Sequence, residues 1–186
     1  EAVESAVAGL GLSCLPWTDE LRQWQARVLL MRRMENEADW PDVSDEALLA
    51  AIRHSPLENW LSPWLSGITR RTQFSSIDLS GALHALLPLA SARRLDREAP
   101  QALRVPSGSL IRIDYLPEAG PVLAVKLQEM FGQEDTPAVC GGKCPLTVHL
   151  LSPAGRPLQV TRDLAGFWRG AYAAVRAEMR GRYPRH

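Results

Sequence analysis

The side chains with the clearest chemical potential are arginines near the end of the chain. Four of them are spaced seven, seven and four residues apart, so one continuous helix would hold them within about 40° on its circumference. The segment from residue 162 to 186 contains six arginines and two acids, although the whole chain has no net charge. A row of guanidinium groups suits the phosphates of a nucleic-acid backbone. The residues predicted to bind nucleic acid are Arg162, Arg169, Arg176, Arg180 and Arg182.

A second interpretation of this segment stays open. Its apolar residues fall on the opposite side of the same helical wheel, as in an amphipathic helix whose basic side is merely solvated. A chain without net charge also has no general attraction to nucleic acid. The apolar residues in question are Leu164, Phe167, Trp168, Ala171, Val175 and Met179.

Another candidate site is the loop in which Cys140 and Cys144 enclose Gly-Gly-Lys. Two such cysteines are potential zinc ligands, with His149 and Cys14 as further ligands, but strong zinc signals combine two cysteine pairs. We therefore expect reduced, metal-free cysteines. A phosphate-binding loop requires Gly-x₄-Gly-Lys-Ser/Thr, and here Pro137 replaces the first glycine and Cys144 the hydroxyl residue. We predict that this chain hydrolyses no ATP, holds no cofactor and has no catalytic residues.

The elements that position these candidate residues can also be predicted. In the first half of the chain, apolar residues recur at helical spacing. A capping box at Ser55 and Glu58 predicts a helix through Ile68 that either kinks at Pro63 or restarts with Ser62 as a new cap. The other predicted helices are 4–10, one capped by Thr18, 45–53, one capped by Asp78, and 90–98. The helix after Thr18 carries an apolar stripe at helical spacing, formed by Leu21, Trp24, Val28 and Met31.

The second half changes to strand-like alternation and turn residues. Residues 110–115 with 122–125, and 146–151 with 157–160, predict two hairpins, and Thr161 is predicted to cap a last helix over 162–180. The fold class is therefore α+β, with a helical N-terminal half followed by antiparallel β-hairpins and a long C-terminal helix. Residues 1–95 form the predicted helical region and 96–186 the α+β domain, either as two units or as one compact unit.

The six tryptophans divide into two groups by their surroundings. Core packing is expected for the four that lie on apolar stripes, Trp24, Trp60, Trp64 and Trp168, and the last three of these should be largely buried. Trp17 and Trp40 lie beside prolines in loops, so we expect them at the surface.

Bulk features point to a cytoplasmic location. The chain has no run of about 18 apolar residues, no signal peptide and an odd number of cysteines, so we expect no membrane partner. It begins with Glu1 in what reads as the middle of a helix, and we expect it to be part of a longer protein.

Longer motifs cover nearly the whole chain. They are Leu15-Pro-Trp17, Trp60-Leu-Ser-Pro-Trp-Leu65, Val105-Pro-Ser-Gly-Ser109 with Ile113-Asp-Tyr115, the runs 123–132 and 145–168, and Gly181-Arg-Tyr-Pro-Arg-His186. With these motifs the chain resembles the C-terminal region of HrpB, a family of bacterial DExH-type ATP-dependent helicases.

The resemblance implies that motor domains precede this region in a longer protein, together with a winged helix, a helical bundle and an OB-like domain. ATP and magnesium are expected to bind in those motor domains, whose signature motifs do not occur in this sequence. The chain is then expected to be a non-catalytic accessory domain that packs on the motor and contacts RNA or DNA. The alternative is a module that recruits a protein partner through the tryptophan-rich helical half.

Overall fold

The computed structural model describes residues 2–35 and 39–183. Its contacts divide the chain into two compact units, Glu1–Leu95 and Asp96–His186. That each region is a separate folding domain stays a prediction. In the described ranges, no helix is both long and apolar enough to cross a membrane.

The first unit is helical and follows the predicted helices at most places. The helices are α1 (Ala2–Leu10), α2 (Asp19–Met34), α3 (Asp45–His54), α4 (Leu79–His84) and α5 (Leu89–Glu98). The boundary of the first unit, at Leu95, falls inside α5. Short 3₁₀ turns occupy Leu12–Cys14, Ser62–Trp64 and Arg71–Ser76.

Two predicted helix starts are confirmed by their hydrogen bonds. Thr18 Oγ1 accepts from the backbone N–H of Leu21 at 3.1 Å, and Asp78 Oδ1 accepts from that of Gly81 at 2.9 Å. Each side chain satisfies one of the N–H groups that the first helical turn leaves without a partner. The predicted stripe of α2 is also confirmed, because its members are buried: Leu21, Trp24, Val28 and Met31.

The helix predicted from Ser55 to Ile68 is wrong. This segment consists of turns around the single 3₁₀ turn, because side chains replace the backbone as hydrogen-bond partners. Asn59 Oδ1 accepts from the N–H of Leu61 at 2.9 Å, and Ser62 Oγ accepts from the N–H of Asn59 at 3.0 Å. Leu61 and Leu65 are nevertheless buried, whereas Leu57 is 65% exposed, so the apolar pattern predicted burial for only part of the segment and did not predict its backbone conformation.

The prediction that Trp40 lies at the surface is also wrong, since only 1% of it is exposed. Its indole N–H donates to Glu35 at 3.3 Å, and its carbonyl accepts from Arg32 at 2.7 Å. The guanidinium of Arg94 lies 5.6 Å from the ring and pairs with Glu35 at 2.5 Å. Trp17 is half-buried under the guanidinium of Arg22.

The second unit is built on a five-stranded sheet. The strands of the unit are β1 (Ala102–Arg104), β2 (Leu110–Asp114), β3 (Val122–Lys126), β4 (Ala138–Val139), β5 (Cys144–Pro145), β6 (Thr147–Leu151) and β7 (Pro157–Thr161). The sheet has the order β1-β2-β3-β6-β7. Both predicted hairpins are present, and the α+β class is confirmed.

One pairing in the sheet differs from the antiparallel hairpins that the sequence predicts. Strands β3 and β6 run parallel, from Val122 opposite Thr147 to Lys126 opposite Leu151, so the sheet is mixed. Parallel neighbours require a long connection. That connection contains a 3₁₀ turn at Leu127–Met130 and the small β4–β5 ladder.

The unit ends in two helices, α6 (Leu164–Arg169) and α7 (Tyr172–Arg182), rather than in the one long helix that the sequence predicts. Leu164 and Phe167 of α6 and Met179 of α7 are buried. The final residues, 184–186, lie outside the described ranges.

Gly81 is the position in the first unit where an added methyl group has least room. A Cβ there would lie 2.5 Å from Asp78 Oδ2 and 2.5 Å from the Trp64 ring. Gly81→Ala is therefore expected to break the α4 cap and displace the indole, lowering the free energy of unfolding by about 2–4 kcal/mol. Urea denaturation measures this loss.

Gly9→Ala is the matched control, because it changes another helical glycine of the same unit with nothing within 4 Å of the new Cβ. It should be neutral or stabilise the protein by up to about 1 kcal/mol. Equal effects of the two changes would contradict the packing described for Gly81.

Candidate nucleic-acid interface

The arginine-bearing end of the chain is positioned by a helix cap that lies two residues later than predicted. Asp163 Oδ1 accepts from the N–H of Gly166 at 2.9 Å and so caps α6. Thr161, the predicted cap, instead accepts from the N–H of Asp163 at 2.9 Å. Gly170, with φ −117° and ψ −90°, then interrupts the helix.

The later cap excludes Arg162 from the predicted row, because α6 begins only at Leu164. Arg162 precedes α6, and its Nε donates to Thr147 Oγ1 at 2.9 Å while Nη2 donates to the carbonyl of Ala119. The guanidinium thereby ties the turn between β2 and β3 to β6. Arg162 is exposed, but its guanidinium N–H groups are used in hydrogen bonds within the unit.

The other predicted arginines lie on the two helices with exposed side chains. In the part of the chain that the structure describes, Arg169, Arg176 and Arg180 form no ion pair. Arg182 lies 3.5 Å from Glu178, an exposed pair of the kind that contributes little stability. The structure therefore keeps three cationic groups in solvent, where an anionic ligand can reach them.

The loop after β3 anchors α6. The indole N–H of Trp168 donates to the carbonyl of Gln133 at 2.6 Å, and Thr136 Oγ1 accepts from the N–H of Leu164 at 2.9 Å. Trp168 is half-buried, as are Trp60 and Trp64. All three side chains are therefore shielded from solvent over much of their surface, in line with their positions on apolar stripes.

An aromatic cluster accompanies the arginines and was not predicted from the sequence. Trp168 lies 5.1 Å from Tyr172 and 6.1 Å from Phe131 between ring centroids, and Phe167 lies beneath them with 4% of its surface exposed. Phe131 comes from the loop after β3 and is 46% exposed. Helical spacing relates Trp168 to Tyr172, but no local signal connects them to Phe131.

The two-cysteine loop forms the tip of the β4–β5 ladder. Cys140 is buried with φ 56°, and Gly141 follows in the same left-handed region, which makes the turn tight. No disulfide joins the cysteines of the described residues, and burial raises the pKa of the Cys14 thiol. Among residues 2–35 and 39–183, no three His, Cys, Asp or Glu side chains are arranged to hold a metal ion.

Comparisons with known proteins agree on one family. Residues 60–186 match the family described as ATP-dependent helicase C-terminal. The chain is 46% identical over 186 residues to the ATP-dependent RNA helicase HrpB of Escherichia coli (strain K12), which covers 100% of this chain and 22% of that protein.

Two solved structures are similar to the chain as well. The crystal structure of the E. coli DExH-box NTPase HrpB matches with a TM-score of 0.89 at 45% identity. The crystal structure of the Escherichia coli DEAH/RHA helicase HrpB matches with a TM-score of 0.80 at 43% identity. Each match covers 98% of this chain and 22% of the solved chain, so the sequence spans less than a quarter of these relatives.

Proposed function

Since this chain belongs to the family of ATP-dependent helicase C-terminal regions, we propose that it is a non-catalytic accessory domain that contacts the nucleic-acid substrate of a helicase. Its other partners in this proposal are the motor domains of the longer protein, where ATP and magnesium bind. The E. coli relative is named an ATP-dependent RNA helicase, which favours RNA as the nucleic acid.

The observation that carries this proposal is the set of exposed arginines on α6 and α7. The two acids nearest in sequence are engaged, since Asp163 caps α6 and Glu178 pairs with Arg182. Arg176 and Arg180 lie four residues apart, about 6 Å along the helix axis, on the same side of α7. Such a ladder of guanidinium groups can contact successive phosphates without reading the base sequence.

The direct test replaces two of these arginines. Arg169→Gln combined with Arg176→Gln removes two phosphate contacts and should weaken binding to single-stranded RNA on the order of ten- to thirtyfold at about 0.1 M salt. The plot of log affinity against log salt should become shallower by about 1.4. Fluorescence anisotropy with end-labelled RNA measures both quantities.

Helix α5 provides a matched control pair. Arg93→Gln combined with Arg97→Gln removes two exposed arginines four residues apart, with the same loss of charge. This control should bind RNA nearly as tightly as the unmodified chain. Equal weakening by both pairs would mean that only net charge matters, and unchanged affinity after the first change would remove α6 and α7 from the interface.

A further inference from the structure

We propose that the aromatic surface of Phe131, Trp168 and Tyr172 stacks the bases of single-stranded RNA while the neighbouring arginines hold its phosphates. This inference rests on the proposed function and deepens it. It assigns to α6, α7 and the loop after β3 a base-contacting role that the arginines alone do not have.

The first support is the exposure of the cluster. Phe131 is 46% exposed, and Trp168 and Tyr172 are half-buried. The three rings are held by edge contacts, since Trp168 and Tyr172 meet at 79° and Phe131 and Tyr172 at 74°. Edge-to-face packing fixes each ring through its neighbours while leaving part of the cluster accessible.

The second support is the rigidity of the surface. Trp168 is fixed by its hydrogen bond to the Gln133 carbonyl, and the buried ring of Phe167 lies 5.2 Å from it. A base that stacks on a ring held in this way meets an ordered surface, so binding costs little side-chain entropy.

The third support is the continuity between the rings and the cations. On α7, Tyr172, Arg176 and Arg180 follow one another at intervals of four residues, which places the arginines about 40° and 80° around the helix from the tyrosine. Both arginines therefore lie on the side of α7 that carries the aromatic cluster. Flat apolar rings adjoining a line of positive charge are the combination that binds single strands without sequence preference.

These features together select the occupant. The ligand must have flat ring faces that are accessible and that alternate with negative charges. Single-stranded RNA has both properties. A duplex hides the faces of its bases and offers only phosphates and groove edges to this surface. The exposed arginines complement the charge of the backbone, and the rings complement the bases.

The test compares single-stranded and duplex RNA with the 186-residue chain. Anisotropy is measured with a labelled oligouridine of about ten nucleotides, a length within the usual site sizes of single-strand binders, and with a labelled duplex of equal length. Phe131→Ala and Tyr172→Ala should each weaken binding of the single strand about tenfold, the loss expected for one stacked base. Their effect on the duplex should be small.

Further variants separate stacking from folding. Phe131→Leu keeps apolar packing but removes the ring and should weaken binding like Phe131→Ala, whereas Phe131→Tyr should retain it. Leu110→Ala is the control, because it removes a side chain that is 61% exposed elsewhere in the same unit and should leave binding unchanged. Circular dichroism of each variant checks that it is folded.

The outcomes distinguish this inference from the proposed function. Weakening by the aromatic changes, selective for the single strand, supports stacking. If Phe131→Leu and Tyr172→Ala bind the single strand as tightly as the unmodified chain, while the Arg169 and Arg176 double change weakens it, stacking is overturned and the phosphate contact stands. If the unmodified chain binds neither RNA, both the stacking and the proposed function are overturned.

Discussion

Replacing Trp40 with alanine is expected to lower the free energy of unfolding by about 3–5 kcal/mol, the usual loss for a large aromatic side chain in a packed core. The indole is 1% exposed, so its removal leaves a cavity that neighbouring side chains cannot fill without moving. Glu35 would also lose the indole N–H, and Arg94 the ring beside its guanidinium. Urea unfolding followed by circular dichroism measures the change.

Two controls in the same unit show whether the loss is specific to this core. Leu57→Ala alters a side chain that is 65% exposed and should stay within about 0.5 kcal/mol of the unmodified chain. Trp40→Phe keeps most of the apolar contact and should cost clearly less than Trp40→Ala. A loss below about 1 kcal/mol for Trp40→Ala would mean that the side chain is not buried as described.

The features that could be predicted are those that depend on residues close to one another in the sequence. The caps at Thr18 and Asp78 were predictable because a short polar side chain reaches the N–H three residues ahead whatever the rest of the fold does. The apolar stripe of α2 was predictable for a similar reason, since a helix buries residues at fixed intervals.

Helices were predicted wrongly where two sequence patterns favoured different backbone conformations. The segment after Ser55 has an apolar helical pattern, but Asn59 and Ser62 satisfy backbone N–H groups and Pro63 cannot donate. Gly170 is a second competing signal, because a glycine in the interior of the last predicted helix disfavours one continuous helix. The predicted arginine row needed one continuous helix over 162–180, but the helix begins at Leu164, after Arg162, and is interrupted at Gly170.

Other features could not have been predicted from spacing at all. The parallel pairing of β3 with β6 joins segments whose pairing partners are 25 residues apart, such as Val122 and Thr147. The aromatic cluster likewise depends on this topology, because it brings the loop containing Phe131 to α6. Trp40 was predicted to lie at the surface because it is in a loop, and its contacts with Glu35, Arg32 and the distant Arg94 could not be predicted from its immediate neighbours.

The central claim, that this helicase C-terminal region contacts single-stranded RNA through exposed arginines, is tested most directly by the salt dependence of binding. Three phosphate contacts, from Arg169, Arg176 and Arg180, predict a slope of log affinity against log salt of about −2. Raising the salt from about 50 to about 500 mM should therefore weaken binding about a hundredfold. Anisotropy of the 186-residue chain with a labelled single strand measures this change. Affinity that is absent at low salt, or that stays constant across the range as for an apolar docking surface, would contradict the claim.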